Sequence, residues 1–334
     1  MEKVRIAQWG TKHGHASGKW RALVDNPQVE AVAIYEPDAE RRAAVEGKGP
    51  YEGARFVDDP AEFLQDESVV AVASEGGNHE SLDQTLAIVE EGKHVWYDKP
   101  AGDDWAKWQQ TVALARQQKL QIQMGFMLRY SDAFRQVDEW VKSGLLGQVF
   151  SLRAHMSTHI GEEMKKTISQ HNGGIFFDLA GHMLDQVVWL LGRPTKVSAF
   201  LRNDATPHIP AFADNGLGVF EFDNAMAFVD IAAMEARPMQ RRFEVYGTQG
   251  SALIVEPFEP GQRLRLVLNE EAAGYAAGET EIELPGQGRQ RLYELELESF
   301  LKTIAGEQAP DRSYEHELLV QETLLRATGY IEEE

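Results

Sequence analysis

Three ionisable side chains, those of Lys99, Asp178 and His182, have the types and spacing needed to assist the oxidation of an alcohol. Lys99 precedes a proline at the end of a short apolar run, and a residue before proline is held extended. Asp178 and His182 are four residues apart, with Asp185 three residues further on, so a helix would place all three on one face. An imidazole beside a carboxylate can take the proton that hydride transfer from a hydroxyl releases. These residues predict hydroxyl oxidation, although a structural salt bridge on a helix explains Asp178 and His182 equally well.

A glycine turn follows the first apolar run of the chain. Gly10 fits the first glycine of the dinucleotide-binding fingerprint, which permits the tight turn after a strand. Lys12 and His15 stand where the second and third glycines are expected. The fingerprint is therefore incomplete, and we predict a cofactor-binding turn made by Gly10, Thr11, Lys12 and His13.

Glu36 ends the second apolar run, about 20 residues beyond the turn, where the fingerprint expects an acidic residue. Its carboxylate would accept hydrogen bonds from the adenosine ribose hydroxyls and would repel a 2′-phosphate. The sequence thus predicts NAD as the cofactor and makes NADP less favourable. Alternatively, Glu36 is simply an exposed loop carboxylate. Lys12 and Arg41 would weaken the discrimination between NAD and NADP.

A metal site is the other use that these side chains could have. Asp178 and His182 could supply two ligands, and His155 and His159 have the four-residue spacing of helical zinc motifs. However, His155 lies in a strand-like run, where residues four apart are separated by ~13 Å. We therefore expect no metal.

Short apolar runs alternate with amphipathic stretches from residue 4 to residue 124. This alternation is typical of parallel strands joined by helices and predicts a doubly wound α/β sheet. Helical spacing of apolar residues predicts a helix over residues 81–91, with Gly92 as its stop signal. The predicted strands are residues 4–7, 31–34, 70–73, 94–97 and 120–124.

After Gly125 most of the predicted strands follow one another without helices between them, which indicates a large, mostly antiparallel sheet in an α+β domain. The predicted strands are residues 149–156, 197–201, 217–222, 225–233, 242–246, 251–255, 263–268 and 280–284. The predicted helices are one ending at Gly144 and residues 176–191, 292–305 and 315–332. A loop over residues 159–172, which contains Lys165 and Lys166, is expected to form part of a substrate pocket.

Composition excludes several classes of protein. The 334 residues are 43% hydrophobic, enough for two cores, and we expect domains at 1–124 and 125–334. A formal charge of -20 disfavours a nucleic-acid partner, and the lack of cysteine excludes disulfides and thiolate chemistry. We see no export signal and no apolar stretch near the ~20 residues that span a bilayer, so we expect a soluble, cytoplasmic protein without a membrane partner.

Together these sequence motifs resemble those of the glucose-fructose oxidoreductase and inositol dehydrogenase family, Gfo/Idh/MocA, over nearly the whole chain. Asp98-Lys99-Pro100 is similar to the family's Glu-Lys-Pro motif, with Asp98 in place of glutamate. Gly173-Gly174, followed by the Asp178 and His182 pair, resembles its substrate-site helix.

The resemblance implies an N-terminal Rossmann domain and assigns roles to individual residues. It implies that Lys99 polarises the reacting carbinol, that His182 accepts the proton and that Asp178 holds substrate hydroxyls. Ser74, Glu75 and Gly76 stand where the family has a Thr-Pro-Asn-like turn near the nicotinamide, and this chain departs from that pattern.

The function predicted is reversible, NAD-dependent oxidation of a secondary hydroxyl on a sugar, cyclitol or related polyol. Two alternatives remain. The degenerate turn fits a non-catalytic dinucleotide sensor of the same fold, and the resemblance also admits a redox-neutral, NAD-dependent glycosidase. The segment 225–234 lacks a clean apolar–polar alternation, so we expect both of its faces to be covered, in a homodimer or homotetramer.

Overall fold

The computed structural model describes residues 3–332 and contains two sheets of different kinds. The strands are β1 Val4–Trp9, β2 Val29–Tyr35, β3 Phe56–Val57, β4 Val69–Ser74, β5 His94–Tyr97, β6 Ile122–Met124, β7 Val149–His155, β8 Lys196–Arg202, β9 Asn215–Glu221, β10 Met226–Ala232, β11 Arg242–Gly247, β12 Gly250–Ile254, β13 Arg263–Leu268 and β14 Gly278–Glu283. The α-helices are α1 Ala16–Asp25, α2 Ala39–Val45, α3 Ala61–Leu64, α4 Ser81–Glu90, α5 Trp105–Gln117, α6 Asp132–Lys142, α7 Glu162–Ile168, α8 Ile175–Leu191, α9 Arg289–Ile304 and α10 Tyr314–Ala327. Two 3-10 helices are Gly49–Tyr51 and Met127–Tyr130.

The first sheet is entirely parallel and has the order β3-β2-β1-β4-β5-β6. Its strands alternate with helices along the chain, as the alternation of apolar and amphipathic segments predicts. Strand β4 is buried at five of its six residues, which explains its continuous apolar run, whereas β1 is buried only at Ile6, Ala7 and Gln8. The order reverses beside β1, and ligands bind at such a point beyond the carboxyl ends of the strands.

The second sheet has eight strands in the order β14-β13-β12-β11-β7-β10-β9-β8. Only β7 and β10 pair in parallel, and the other neighbours are antiparallel. Helix α8 packs against β9 and β10. Buried and half-exposed residues alternate strictly along β10, so in the single chain only one face of this strand is covered.

The chain divides into two compact units. The first contains Met1–Phe126 and Tyr293–Tyr314, and the second contains Met127–Leu292 and Glu315–Glu334. The chain passes from the first unit to the second after Phe126, and most of α9 belongs to the first unit. The reason is tertiary: the Tyr314 hydroxyl donates to the Leu120 carbonyl and accepts from Ile122 N–H, beside the edge strand β6.

Two local expectations were wrong, and two short elements were not predicted. Strand β3 and helix α3 are too short to produce a periodic apolar signal. The segment 159–172, expected as a loop, contains helix α7, and α10 ends at Ala327 instead of continuing to residue 332. None of the helices within residues 3–332 is both long enough and apolar enough to cross a membrane.

Candidate functional site

Gly10 brings the carboxyl ends of three parallel strands together. Its amide donates to the Tyr35 carbonyl at 2.7 Å, and the Glu75 amide donates to Trp9 O at 2.7 Å. The φ of Gly10 is +90°, and a Cβ there would lie 2.5 Å from Gly76 N. Only glycine therefore allows the turn to sit against the end of β4.

Helix α1 begins directly after this turn, so its N-terminus lies near the strand ends. Its N-cap residue, His15, makes no side-chain capping bond, and the first turn of the helix contains no acidic residue. The positive end of the helix dipole favours a phosphate at such a terminus. The turn and helix thus fit the pyrophosphate of a dinucleotide.

Glu36 is 2% exposed and ties the turn to the second strand. One carboxylate oxygen accepts both the amide and the hydroxyl of Thr11, at 2.8 and 2.7 Å, and the other accepts Asp38 N–H. Arg41 donates to the Thr11 hydroxyl and carbonyl. Much of the hydrogen-bonding capacity of Glu36 is therefore used within the protein, and the exposed loop carboxylate considered from the sequence is not what the structure contains.

Lys12 occupies the second glycine position and lies across the turn. Its ammonium pairs with Asp38 at 3.1 Å and with Glu80 at 3.4 Å. Burial lowers the pKa of Lys12, but these carboxylates outweigh that effect and leave the pKa raised. The side chain is thus held in place by carboxylates at two points.

Asp98 is the centre of a buried polar cluster that sequence reasoning did not find. His13 and His15 approach its carboxylate at 3.2 and 3.1 Å, and the Lys19 ammonium contacts it at 3.1 Å. Burial by itself raises the pKa of Asp98, but the three basic groups hold that pKa well below its usual range. Burial lowers the pKa of His15 to about 4, and Asp98 only partly opposes this.

Glu75 lies on the other side of Lys19, with one oxygen 3.1 Å from its ammonium. Glu75 is fully buried, and burial raises its pKa well above the usual range in spite of Lys19. One sequence feature could have predicted this cluster. Lys19 is a charged residue on the apolar, buried face of α1, together with Ala16, Ala22 and Leu23.

The other predicted residues of the first unit lie at the same strand ends. Ser74 is buried, and its hydroxyl accepts from Thr85. A Cβ on Gly76 would lie 2.3 Å from the Gln84 amide oxygen, so a side chain there would require the Gln84 side chain to move. Lys99 follows β5, is 3% exposed, and its backbone N–H donates to Asp98 at 2.8 Å. The structure therefore gathers the candidate cofactor residues Gly10, Thr11, Lys12, His13, Glu36, Ser74, Glu75, Gly76 and Lys99 at one edge of the sheet.

Asp178 and His182 lie in the second unit, on α8, as the spacing predicts. Asp178 is half-buried and His182 is 1% exposed. The third member of the pattern, Asp185, has a structural use: its carboxylate accepts from Arg129 at 2.7 Å and lies 2.8 Å from His316 Nε2.

The two lysines of the expected pocket wall pair with glutamates on their own helix. Lys165 binds Glu162 and Lys166 binds Glu163, both at 2.8 Å. This arrangement is the ordinary one for a charged helix surface, although the Lys165 side chain is largely covered.

Two comparisons with sequence-family models match separate parts of the chain. Residues 5–126 match the NAD-binding Rossmann fold of an oxidoreductase family, GFO_IDH_MocA. Residues 134–253 match the GFO/IDH/MocA C-terminal domain.

Individual relatives are similar over about two thirds of their length. An uncharacterized oxidoreductase of Bacillus subtilis (strain 168), YrbE, is 25% identical over 260 residues, which are 75% of this chain and 63% of the relative. Inositol 2-dehydrogenase 3 of Saccharopolyspora erythraea is 29% identical over 248 residues, 70% of this chain and 68% of the relative. The structure of levoglucosan dehydrogenase in complex with NADH and levoglucosan has a TM-score of 0.82 at 18% identity and covers 98% of both chains, so the fold is the same.

Proposed function

The chain belongs to the Gfo/Idh/MocA family of NAD-binding oxidoreductases, and on that basis we propose that it oxidises a secondary hydroxyl of a sugar, cyclitol or related polyol reversibly. The observation that carries the proposal is the glycine turn at the strand ends, with Lys99 buried at the same edge of the sheet. The inositol dehydrogenase relative supports a polyol as the substrate class.

The proposed roles follow from the chemistry of each side chain. NAD bound at the turn would supply the hydride acceptor needed for oxidation of the carbinol carbon to a carbonyl. Lys99 stabilises the negative charge that develops on the substrate oxygen. His182 takes the hydroxyl proton, because an imidazole matches this transfer near neutral pH better than an unperturbed carboxylate does. Asp178 accepts hydrogen bonds from neighbouring substrate hydroxyls.

A non-catalytic sensor is the second candidate, and the occupied second glycine position favours it. Lys12 stands there and is held by Asp38 and Glu80. Reduction of NAD by any member of a polyol panel would exclude the sensor. Tightly retained cofactor with substrate turnover but no net change in absorbance would instead indicate the redox-neutral glycosidase.

Thermal unfolding with NAD, NADH, NADP and NADPH tests cofactor binding. A ligand at about 100 times its dissociation constant adds roughly 2.7 kcal/mol of stability. We expect a rise in melting temperature with NAD or NADH, its loss in Gly10→Ala, and its retention in Gly14→Ala, where a Cβ meets nothing within 4 Å. The absence of a shift with all four dinucleotides would contradict the proposal.

We also propose that the second sheet pairs with a second copy of the chain. Its face opposite α8 presents apolar side chains on neighbouring strands, including the exposed Phe200 and Met226. Solvent-facing apolar residues on contiguous strands mark an interaction surface.

A further inference from the structure

A compact set of metal-ligand atoms lies at the base of the cofactor turn. His13, His15 and Asp98 each offer one donor atom, and these three atoms lie within 4.8 Å of one another. His13 Nδ1 is 3.2 Å from Asp98 Oδ2, and His15 Nδ1 is 3.2 Å from Asp98 Oδ1. The set combines the end of β5 with the loop before α1.

The separations of these atoms suit a single ion. With bonds of about 2.0–2.1 Å, two ligands of a tetrahedral zinc ion are roughly 3.4 Å apart. The histidine–carboxylate pairs of the cluster are 3.1–3.8 Å apart, and all three donor atoms of His13, His15 and Asp98 lie within 4.8 Å of one another. Binding one ion would therefore draw the most widely separated donor atoms together by up to roughly 1.4 Å.

Glu75 lies next to this set and offers a carboxylate oxygen 3.8 Å from His13 Nδ1. Among residues 3–332, neither of its buried carboxylate oxygens receives a hydrogen bond. Lys19 pairs with Oε1, whereas Oε2 faces His13 Nδ1 at 3.8 Å. A buried carboxylate oxygen without a donor is costly unless a proton or a cation compensates it.

The tautomer of His13 points the same way. In the protonated ring, Nδ1 would donate to Asp98. In the neutral ring, Nδ1 accepts the backbone N–H of His15 at 3.2 Å, and its lone pair faces the lone pairs of the Asp98 carboxylate. A cation between them would turn that repulsion into two bonds. The cation would replace the hydrogen bond that the His15 backbone N–H donates to His13 Nδ1.

Charge balance in the first unit also favours a cation. Three buried carboxylates, Asp98, Glu75 and Glu296, surround Lys19, and Lys99 is the other buried ammonium near His15. Lys19 takes one oxygen from each of its two partners, Asp98 and Glu75. The other oxygen of Asp98 accepts the Lys99 backbone N–H at 2.8 Å and lies 3.2 Å from His15 Nδ1. The other oxygen of Glu75 lies 3.8 Å from His13 Nδ1.

We propose that His13, His15, Asp98 and Glu75 bind one divalent transition-metal ion, with Zn²⁺ as the best match. Two imidazoles and two carboxylates are the ligands that zinc uses, and histidine nitrogen disfavours Mg²⁺ and Ca²⁺. The ion would fix the loop before α1 to the ends of β4 and β5, and so hold the cofactor turn in shape. The proposal goes beyond the proposed oxidoreductase function and departs from the sequence-based expectation of no metal.

Zinc binding to the chelator-treated full chain, without NAD, tests the proposal. Calorimetric titration should give one ion per chain, and zinc should raise the melting temperature. His15→Ala and Glu75→Gln should each weaken binding at least ~10-fold, since each removes one of four ligands. Glu75→Gln preserves side-chain shape, so it remains informative if His15→Ala does not fold.

His155→Ala is the matched control. His155 also lies beside a carboxylate, at 2.6 Å from Asp230, but on the second sheet, and its loss should leave zinc affinity unchanged. No saturable binding at micromolar free zinc, or equal affinity in all variants, would overturn the proposal. Stabilisation of the metal-free chain by Glu75→Gln, with no zinc binding to the wild type, would show that a proton on Glu75 fills the role of the ion. The titration contains no dinucleotide, so its failure is independent of the proposed NAD-dependent activity.

Discussion

The two side chains with proposed chemical roles are both buried, as are Lys19 and His171. Lys99 is 3% exposed and His182 is 1% exposed, whereas the Lys166 side chain is 60% exposed and pairs with its own helix. A buried lysine is rare and usually has a partner or a function. Burial is compatible with the proposed roles of Lys99 and His182 but does not assign them.

His182→Ala is expected to lower turnover by two or more orders of magnitude, because a positioned base contributes typically 10²- to 10⁴-fold. The affinity for NAD should remain unchanged, and added imidazole should restore part of the rate. Steady-state kinetics with a turned-over polyol, together with an NAD titration, would measure this. Near-normal turnover in His182→Ala, with activity lost in Lys99→Ala, would require the two roles to be exchanged.

Glu36→Ala is expected to shift cofactor preference from NAD towards NADP. The substitution removes the carboxylate that a 2′-phosphate would meet, and leaves Lys12 and Arg41 at the turn. It also removes two hydrogen bonds to Thr11, so NAD should bind more weakly. Dissociation constants for both cofactors test this, with Glu40→Ala, on the exposed first turn of α2, as the control. An unchanged ratio of the two constants would remove Glu36 from cofactor selection.

At the scale of elements, a buried ionic network joins α8, α10 and the 3-10 helix Met127–Tyr130. Arg129 donates to both oxygens of Glu317 at 2.8 Å and to Asp185 at 2.7 Å. All three side chains are at most 3% exposed. Their carboxylates raise the pKa of Arg129 well above its usual value in spite of burial.

Arg129→Met is expected to destabilise the protein by about 3–5 kcal/mol, because it leaves two buried carboxylates without their cation. Arg193→Met is the matched control, since Arg193 pairs with Glu322 while its side chain is 59% exposed, and such pairs contribute ~0–1 kcal/mol. Urea unfolding of both variants measures the difference. Equal losses would mean that the Arg129 network adds no more than a surface pair.

At the scale of the whole molecule, the open face of the second sheet is the surface most suited to self-association. Phe200 is 61% exposed and Met226 is 52% exposed, on strands that flank β9. Leu217 and Val219 of β9 lie opposite Phe200 and Ser198 in the register and are half-buried. Self-association would cover both faces of this sheet, as the composition of segment 225–234 predicts.

Light scattering at micromolar concentration is expected to give the mass of a dimer or tetramer. The double variant Phe200→Glu, Met226→Glu should reduce that mass, because it places charges in the apolar surface. Val24→Glu is the control, since Val24 is equally exposed but lies on α1. A monomer mass for the wild type would exclude the proposed interface.

The sequence by itself determined the elements with strong periodicity and the order in which they occur. The bounds of β5 and β13 agree with the prediction to the residue, and α8 differs by one residue at its start. The burial pattern of such elements is visible in their sequence, because alternate residues of a strand and every third or fourth residue of a helix face the core. The parallel first sheet, the mostly antiparallel second sheet and the cofactor turn at Gly10 follow from the same local signals.

Only the tertiary structure decided which distant residues meet. His15 and Asp98 are 83 positions apart, and Tyr314 reaches Leu120 across 194 positions. No local pattern encodes such contacts, because they depend on how strands order themselves in a sheet and on where a returning helix packs. The buried cluster around Asp98 and the inclusion of most of α9 in the first unit therefore became visible only in the folded chain.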